Sequence, residues 1–163
     1  MKKIFIALLL AAVSLGASAQ FEKGTKYVNA SLTGFGLDYC KAGGFHIGIG
    51  AGGGYFIADG WSLLGQVGWD HQDGANAFNI GFAARYYLRK NGLFFSGGLK
   101  YGAFNPGSDY PVARNIYLTP EVGYCFYLND HVSIEPAIYV DMSLNHFSDY
   151  TKVGLKVSFG YYF

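Results

Sequence analysis

Eight stretches of this chain share one property: every second residue is uncharged. In segment 61–69 those residues are Trp61, Leu63, Gly65, Val67 and Trp69. In 78–88 they are Phe78, Ile80, Phe82, Ala84, Tyr86 and Leu88. The positions between include Gln66, Asp70, Asn79, Arg85 and Arg89. Successive side chains of a strand point to opposite faces. Each stretch is therefore a strand with one apolar face and one polar or small face.

The strands are expected at 26–36, 43–57, 61–71, 77–89, 93–104, 115–128, 132–143 and 150–163. Each can cross a bilayer, since about 9–11 tilted residues span the apolar layer. Three connections are tight: Ala58-Asp59-Gly60, Lys90-Asn91-Gly92 and Asn129-Asp130-His131. Gly, Asn and Asp suit such turns because they tolerate positive φ. The other connections, near 37–42, 72–76, 105–114 and 144–149, alternate with these along the chain. Short turns at one rim and longer loops at the other are the pattern of a membrane barrel. The fold expected is all-β: an eight-stranded antiparallel up-and-down transmembrane β-barrel.

Alternation alone does not say which face is outside. Charge does. The uncharged face carries bulky residues on all eight strands, and no position on it is charged or an amide. That much volume would overfill an eight-stranded interior, whereas lipid sets no such limit. The opposite face holds Asp70, Arg85, Arg89, Lys100, Glu121, Glu135, Asp141, Lys152 and Lys156. A water-soluble barrel or sandwich would need that face outward, yet it is rich in glycine. Inward Gly48, Gly50, Gly52 and Gly54 leave room for Phe56, Tyr117 or Tyr139. Only 14% of residues are charged, against roughly 25% in a soluble domain. Aromatics at two depths, Trp61, Tyr86, Phe95 and Phe163 near one rim and Phe45, Trp69, Phe78 and Tyr101 near the other, suit interfacial girdles. They do not converge as a sugar site would.

The start of the chain reads as an export signal. Lys2 and Lys3 precede an apolar run from Ile4 to Val13, and Ala17-Ser18-Ala19 is an A-x-A site. Cleavage after Ala19 leaves residues 20–163 as one barrel domain. No later apolar segment is long enough for a spanning helix. A net charge of +1 offers no basic patch for nucleic acid. Cys40 and Cys125 fall near opposite rims, farther apart than the roughly 7 Å a disulfide allows. Two free thiols are expected, with Cys125 in the lumen. Pro120 and Pro136 sit inside strands and each removes a ladder hydrogen bond; a bulge there would accommodate them and shift the facing locally.

Lumen charges form the main constellation. Counted from the short-turn rim, Arg85, Lys100, Glu121, Glu135 and Lys156, with Gln66, fall in one middle layer. Buried charges must be paired and hydrogen-bonded. The expectation is a salt-bridge plug, with a narrow gated ion path as the alternative. Asp70, His71 and Asp73 have no metal-ligand spacing, and they and His46 read as rim polar residues. No cofactor or metal is expected.

The last strand, Val157-Ser158-Phe159-Gly160-Tyr161-Tyr162-Phe163, is the most specific motif. With it the chain resembles the small outer-membrane barrels of the OmpX and OmpA barrel-domain type over residues 21–163. The resemblance implies the outer membrane of a Gram-negative bacterium and contact with lipid and lipopolysaccharide. It also implies that Phe159, Tyr161 and Phe163 form the signal read by the barrel-assembly machinery. The Ala-Gln-Phe junction at 19–21 resembles signal cleavage in Bacteroides-type bacteria. The external connections are shorter than in OmpX, and no peptidoglycan-binding domain follows as in OmpA. His146-Phe147-Ser148 is similar to the His-x-Ser of lipid A deacylase barrels, with His146 as base and Ser148 as nucleophile. Against that, Asp149 replaces the family's Asn and no acidic residue on the last strand can orient the His. The function expected is a non-enzymatic structural or interaction role, with another envelope protein as a candidate partner. Lipid A deacylation is the enzymatic alternative.

Overall fold

The computed structural model describes residues 21–34, 46–72, 75–88, 91–105, 113–145 and 151–163. Its strands are β1 (Lys26–Gly34), β2 (His46–Ala58), β3 (Trp61–Gln72), β4 (Ala75–Tyr87), β5 (Leu93–Asn105), β6 (Ala113–Leu118), β7 (Glu121–Tyr124), β8 (Phe126–Tyr127), β9 (Val132–Ser143) and β10 (Lys152–Tyr162). Every pairing is antiparallel between neighbours, and β1 also pairs with β10. The ring therefore closes, and β6, β7 and β8 together act as one wall strand between β5 and β9. This is the eight-stranded up-and-down barrel, and closure removes the exposed edges an open sheet would present.

The breaks in that wall strand fall at Pro120 and Cys125. No bulge accompanies them. Leu118 lies opposite Leu99 and Glu121 opposite Ser96, so the residue count on the two strands stays equal across Pro120. Pro136 keeps its place opposite Val157 within β9. Thr119 N–H donates to Gly98 O at 2.9 Å and Val140 N–H donates to Pro120 O at 2.9 Å. Each proline lacks one donor and its neighbours keep theirs, so the facing does not shift.

The short turns and both strand ends share one rim. Gly60 and Gly92 take φ of 77° and 94°, which an L side chain adopts only with strain. Asn129 Oδ1 accepts from His131 N–H at 2.9 Å and Val132 N–H at 2.8 Å. Tyr162 N–H donates to His131 O at 2.8 Å, and Lys26 N–H donates to Phe163 O at 2.8 Å.

The large apolar side chains that stand exposed, Ile49, Trp61, Leu63, Phe82, Leu99, Ile138 and Phe159 among them, all lie on the uncharged parity. The fully buried residues lie on the other and include Tyr27, Phe56, Arg85, Phe94, Cys125, Glu135 and Asp141. A water-soluble protein has the reverse arrangement.

Candidate functional site: the charged lumen

Four strands, β4, β7, β9 and β10, bring Arg85, Glu121, Glu135 and Lys156 together. Arg85 from β4 is 2% exposed. Its Nη1 donates to Glu135 Oε2 of β9 at 2.7 Å and to Tyr87 OH at 3.1 Å. Its Nη2 donates to Glu121 Oε1 of β7 at 3.2 Å. The guanidinium also lies 4.0 Å from the Phe94 ring centroid, a cation–π contact in a desolvated site. Arg85, Ser96 and Glu121 occupy one cross-strand row, which is why the arginine reaches that carboxylate.

Glu135 is the hub. Tyr27 OH donates to its Oε2 at 2.7 Å. Ser133 Oγ and Tyr162 OH donate to its Oε1 at 2.8 and 2.7 Å. Cys125 Sγ lies 3.7 Å from the same oxygen and 3.5 Å from Tyr162 OH. Cys125 is a free thiol in the lumen; Cys40 lies outside the described residues. A buried carboxylate with this many donors is satisfied without a metal or cofactor.

Glu121 joins this layer to the next, its Oε2 pairing with Lys156 of β10. Higher up, Lys100 of β5 pairs with Asp141 of β9 rather than with Glu121. Lys152, opposite Asp141 in the register, lies 3.9 Å from the same oxygen. Asp70 accepts from Asn79 Nδ2 at 2.7 Å and from Thr33 Oγ1 at 3.5 Å. Gln66 lines a cavity of ≈ 80 Å³ that runs between the two clusters, with Lys100 and Asp141 of one and Arg85, Glu121 and Lys156 of the other.

Thus Arg85, Glu121, Glu135 and Lys156 form one connected network, and Lys100 belongs to a second cluster. The sequence reading placed Asp141 and Lys152 on the inner face but outside the layer. It also missed Phe21, which precedes β1. The Phe21 ring is fully buried and stacks on Tyr87 at 3.9 Å, beside Phe56 and Tyr127. Its carbonyl accepts from Gly60 N–H at 2.7 Å. A lone aromatic two residues past the expected cleavage point was the only hint of it.

His71 lies at the rim, stacked on Trp69 and 3.0 Å from Asn76 Oδ1 through Nδ1. Among the described residues no group of three or more ligand-type side chains could hold a metal. The side chain of His46, and Asp73, His146 and Ser148, lie outside the described residues. Phe159, Tyr161 and Phe163 face outward on or just beyond β10, with Tyr161 and Phe163 ring centroids 5.9 Å apart.

The sequence matches no family model and no curated protein. Solved structures do match in fold. The N-terminal β-barrel domain of Pseudomonas aeruginosa OprF superposes with a TM-score of 0.70 at 17% identity, covering 86% of this chain and 98% of that one. Neisserial surface protein A gives 0.62 at 13% identity, covering 85% and 96%. Ail of Yersinia pestis, in complex with the heparin analogue sucrose octasulfate, gives 0.51 at 12% identity, covering 86% and 98%. The chain has the fold of the small outer-membrane β-barrels, of the OmpA and OmpX type.

Proposed function

We propose that this protein is an integral outer-membrane barrel whose lumen is closed to solutes and whose role in the cell envelope is structural or interactive. Residues 1–19 direct export and are removed, leaving 20–163 in the membrane with both ends at the periplasmic rim. The observation that carries closure is Arg85 held between Glu121 and Glu135, with the Phe21, Phe56 and Tyr87 rings beneath it. Eight strands enclose an interior just wide enough for side chains, and these side chains cross-link opposite walls of it.

The apolar belt meets lipid and lipopolysaccharide. Phe159, Tyr161 and Phe163 serve as the signal for the barrel-assembly machinery, and another envelope protein is the candidate partner. Binding of a heparin analogue belongs to Ail; for this chain it supports only a role of contact rather than transport. Planar-bilayer recording tests closure. A flat baseline at moderate voltage is expected from the reconstituted full barrel. Steady ion conductance would overturn it.

A further inference from the structure

Two residues that line the cavity between the clusters each carry a buried polar atom with no partner in the protein. Arg85 donates through Nη1 to Glu135 and Tyr87 and through Nη2 to Glu121, and its Nε donates to nothing. Asp141 meets Lys100 and Lys152 at Oδ2, and its Oδ1 accepts from nothing. Arg85 is 2% exposed and Asp141 1%. A polar atom orphaned at that depth is costly, and folded proteins supply it with a partner. The partner these two require must accept, for Arg85, and donate, for Asp141.

The cavity narrows the choice. Its walls add the amides and hydroxyls of Asn29, Ser31, Gln66 and Ser96. The described lumen charges already balance: Arg85, Lys100, Lys152 and Lys156 match Asp70, Glu121, Glu135 and Asp141 one for one. A further ion would stand uncompensated in the barrel interior. A cation would also serve Asp141 alone, and an anion Arg85 alone. Water serves both and adds no charge. At roughly 10–15 Å³ apiece, several waters fit in ≈ 80 Å³. Away from the short turns the lining Lys152 and Lys100 are 22% and 14% exposed. At the other end the guanidinium lies against the Phe94 ring, and neither Phe94 nor Glu135 lines the cavity.

We propose that this cavity holds a chain of ordered water molecules that links Arg85 Nε to Asp141 Oδ1. The chain joins the two charge clusters into one hydrogen-bonded network, hydrated as far as Arg85 and sealed below it. The proposal rests on the closed-lumen reading above. The test is NMR of the full barrel in lipid nanodiscs, with NOE and ROE transfer from water to the Arg85 Nε–H. Bound water gives the two transfers opposite signs, and freely exchanging water gives them the same sign. Opposite signs are expected in the wild type. Ser96 is the direct cross-strand neighbour of Arg85 and lines the cavity. Ser96→Leu fills the space beside the guanidinium and should lower the signal severalfold. Ser96→Ala leaves that space open and should keep it. A folded wild-type barrel with no transfer at Arg85, or with same-sign transfer there, would overturn the water chain alone. So would an unchanged signal in folded Ser96→Leu. Same-sign transfer that also reaches the Phe94 ring protons would mean water passing through the lumen, and would overturn the closed reading as well.

Discussion

Towards the short turns, Glu135 is 1% exposed and accepts from Arg85, Tyr27, Ser133 and Tyr162. Towards the other rim Asp141 is equally buried, but its partners Lys100 and Lys152 are 14% and 22% exposed. Both regions pair carboxylates with cations, and both leave no bare charge deep in the barrel. They differ in surroundings. The lower network is packed against aromatic rings and defined by planar guanidinium geometry, with Glu135 away from the polar cavity that Arg85, Glu121 and Lys156 line. The upper one lines the same cavity with both its carboxylate and its lysines, which are flexible point charges. A charge pair in a dry site costs much to break, because the remaining charge has no solvent to turn to. Near water the same deletion is cushioned. The two halves should therefore respond very differently to truncations that look alike on paper.

The largest effect is expected from Glu135→Ala, which strands Arg85 beside a remaining Glu121 and leaves three hydroxyl donors without their acceptor. A loss of about 3–5 kcal/mol is expected, read by urea unfolding of the barrel in lipid vesicles. A loss under ~1 kcal/mol would erase the contrast between the halves. Glu121→Ala should cost less, about 2–3 kcal/mol. Arg85 keeps Glu135 in that variant, and Lys156 can swing its amine towards the cavity. Phe21→Ala removes the ring stacked on Tyr87 and should cost about 2 kcal/mol in burial. It should leave the bilayer baseline flat, since Arg85, Glu121 and Glu135 remain joined above it. Channel openings in Phe21→Ala would show that the aromatic layer, not the ionic one, closes the lumen.

Facing was legible in the sequence because a two-residue period is local, and it held even across Pro120. Turns were legible because Gly60 and Gly92 need positive φ. Pairing within the lumen was only half legible. Counting residues from the rim put Lys100 and Glu121 at one height, but strands in a closed barrel tilt and stagger. The true cross-strand row joins Glu121 to Ser96 and Arg85, and Lys100 sits opposite Tyr117. That stagger is a property of the closed ring, and no single strand encodes it. The same reasoning explains Asp141 and Lys152, which face each other across two strands whose register is set by the whole cylinder. Phe21 was illegible for a different reason. It belongs to no alternating stretch, and its burial depends on the mouth formed by Phe56, Tyr87 and Tyr127.

The smallest effect separates the halves most cleanly. Lys152 lies 3.9 Å from Asp141 and is the most exposed of the paired lumen cations among the described residues, while Lys100 holds the same carboxylate oxygen more closely. Lys152→Ala therefore leaves Asp141 paired and removes a charge that water already screens. A loss below ~1 kcal/mol is expected, as for an exposed ion pair. The informative measurement is the dependence on Lys100. In a double-mutant cycle, Lys152→Ala should cost clearly more in a Lys100→Ala background, because Asp141 then loses its remaining cation. If the two deletions simply add, the lysines do not share Asp141, and the upper cluster is two independent surface-like pairs rather than one ionic unit.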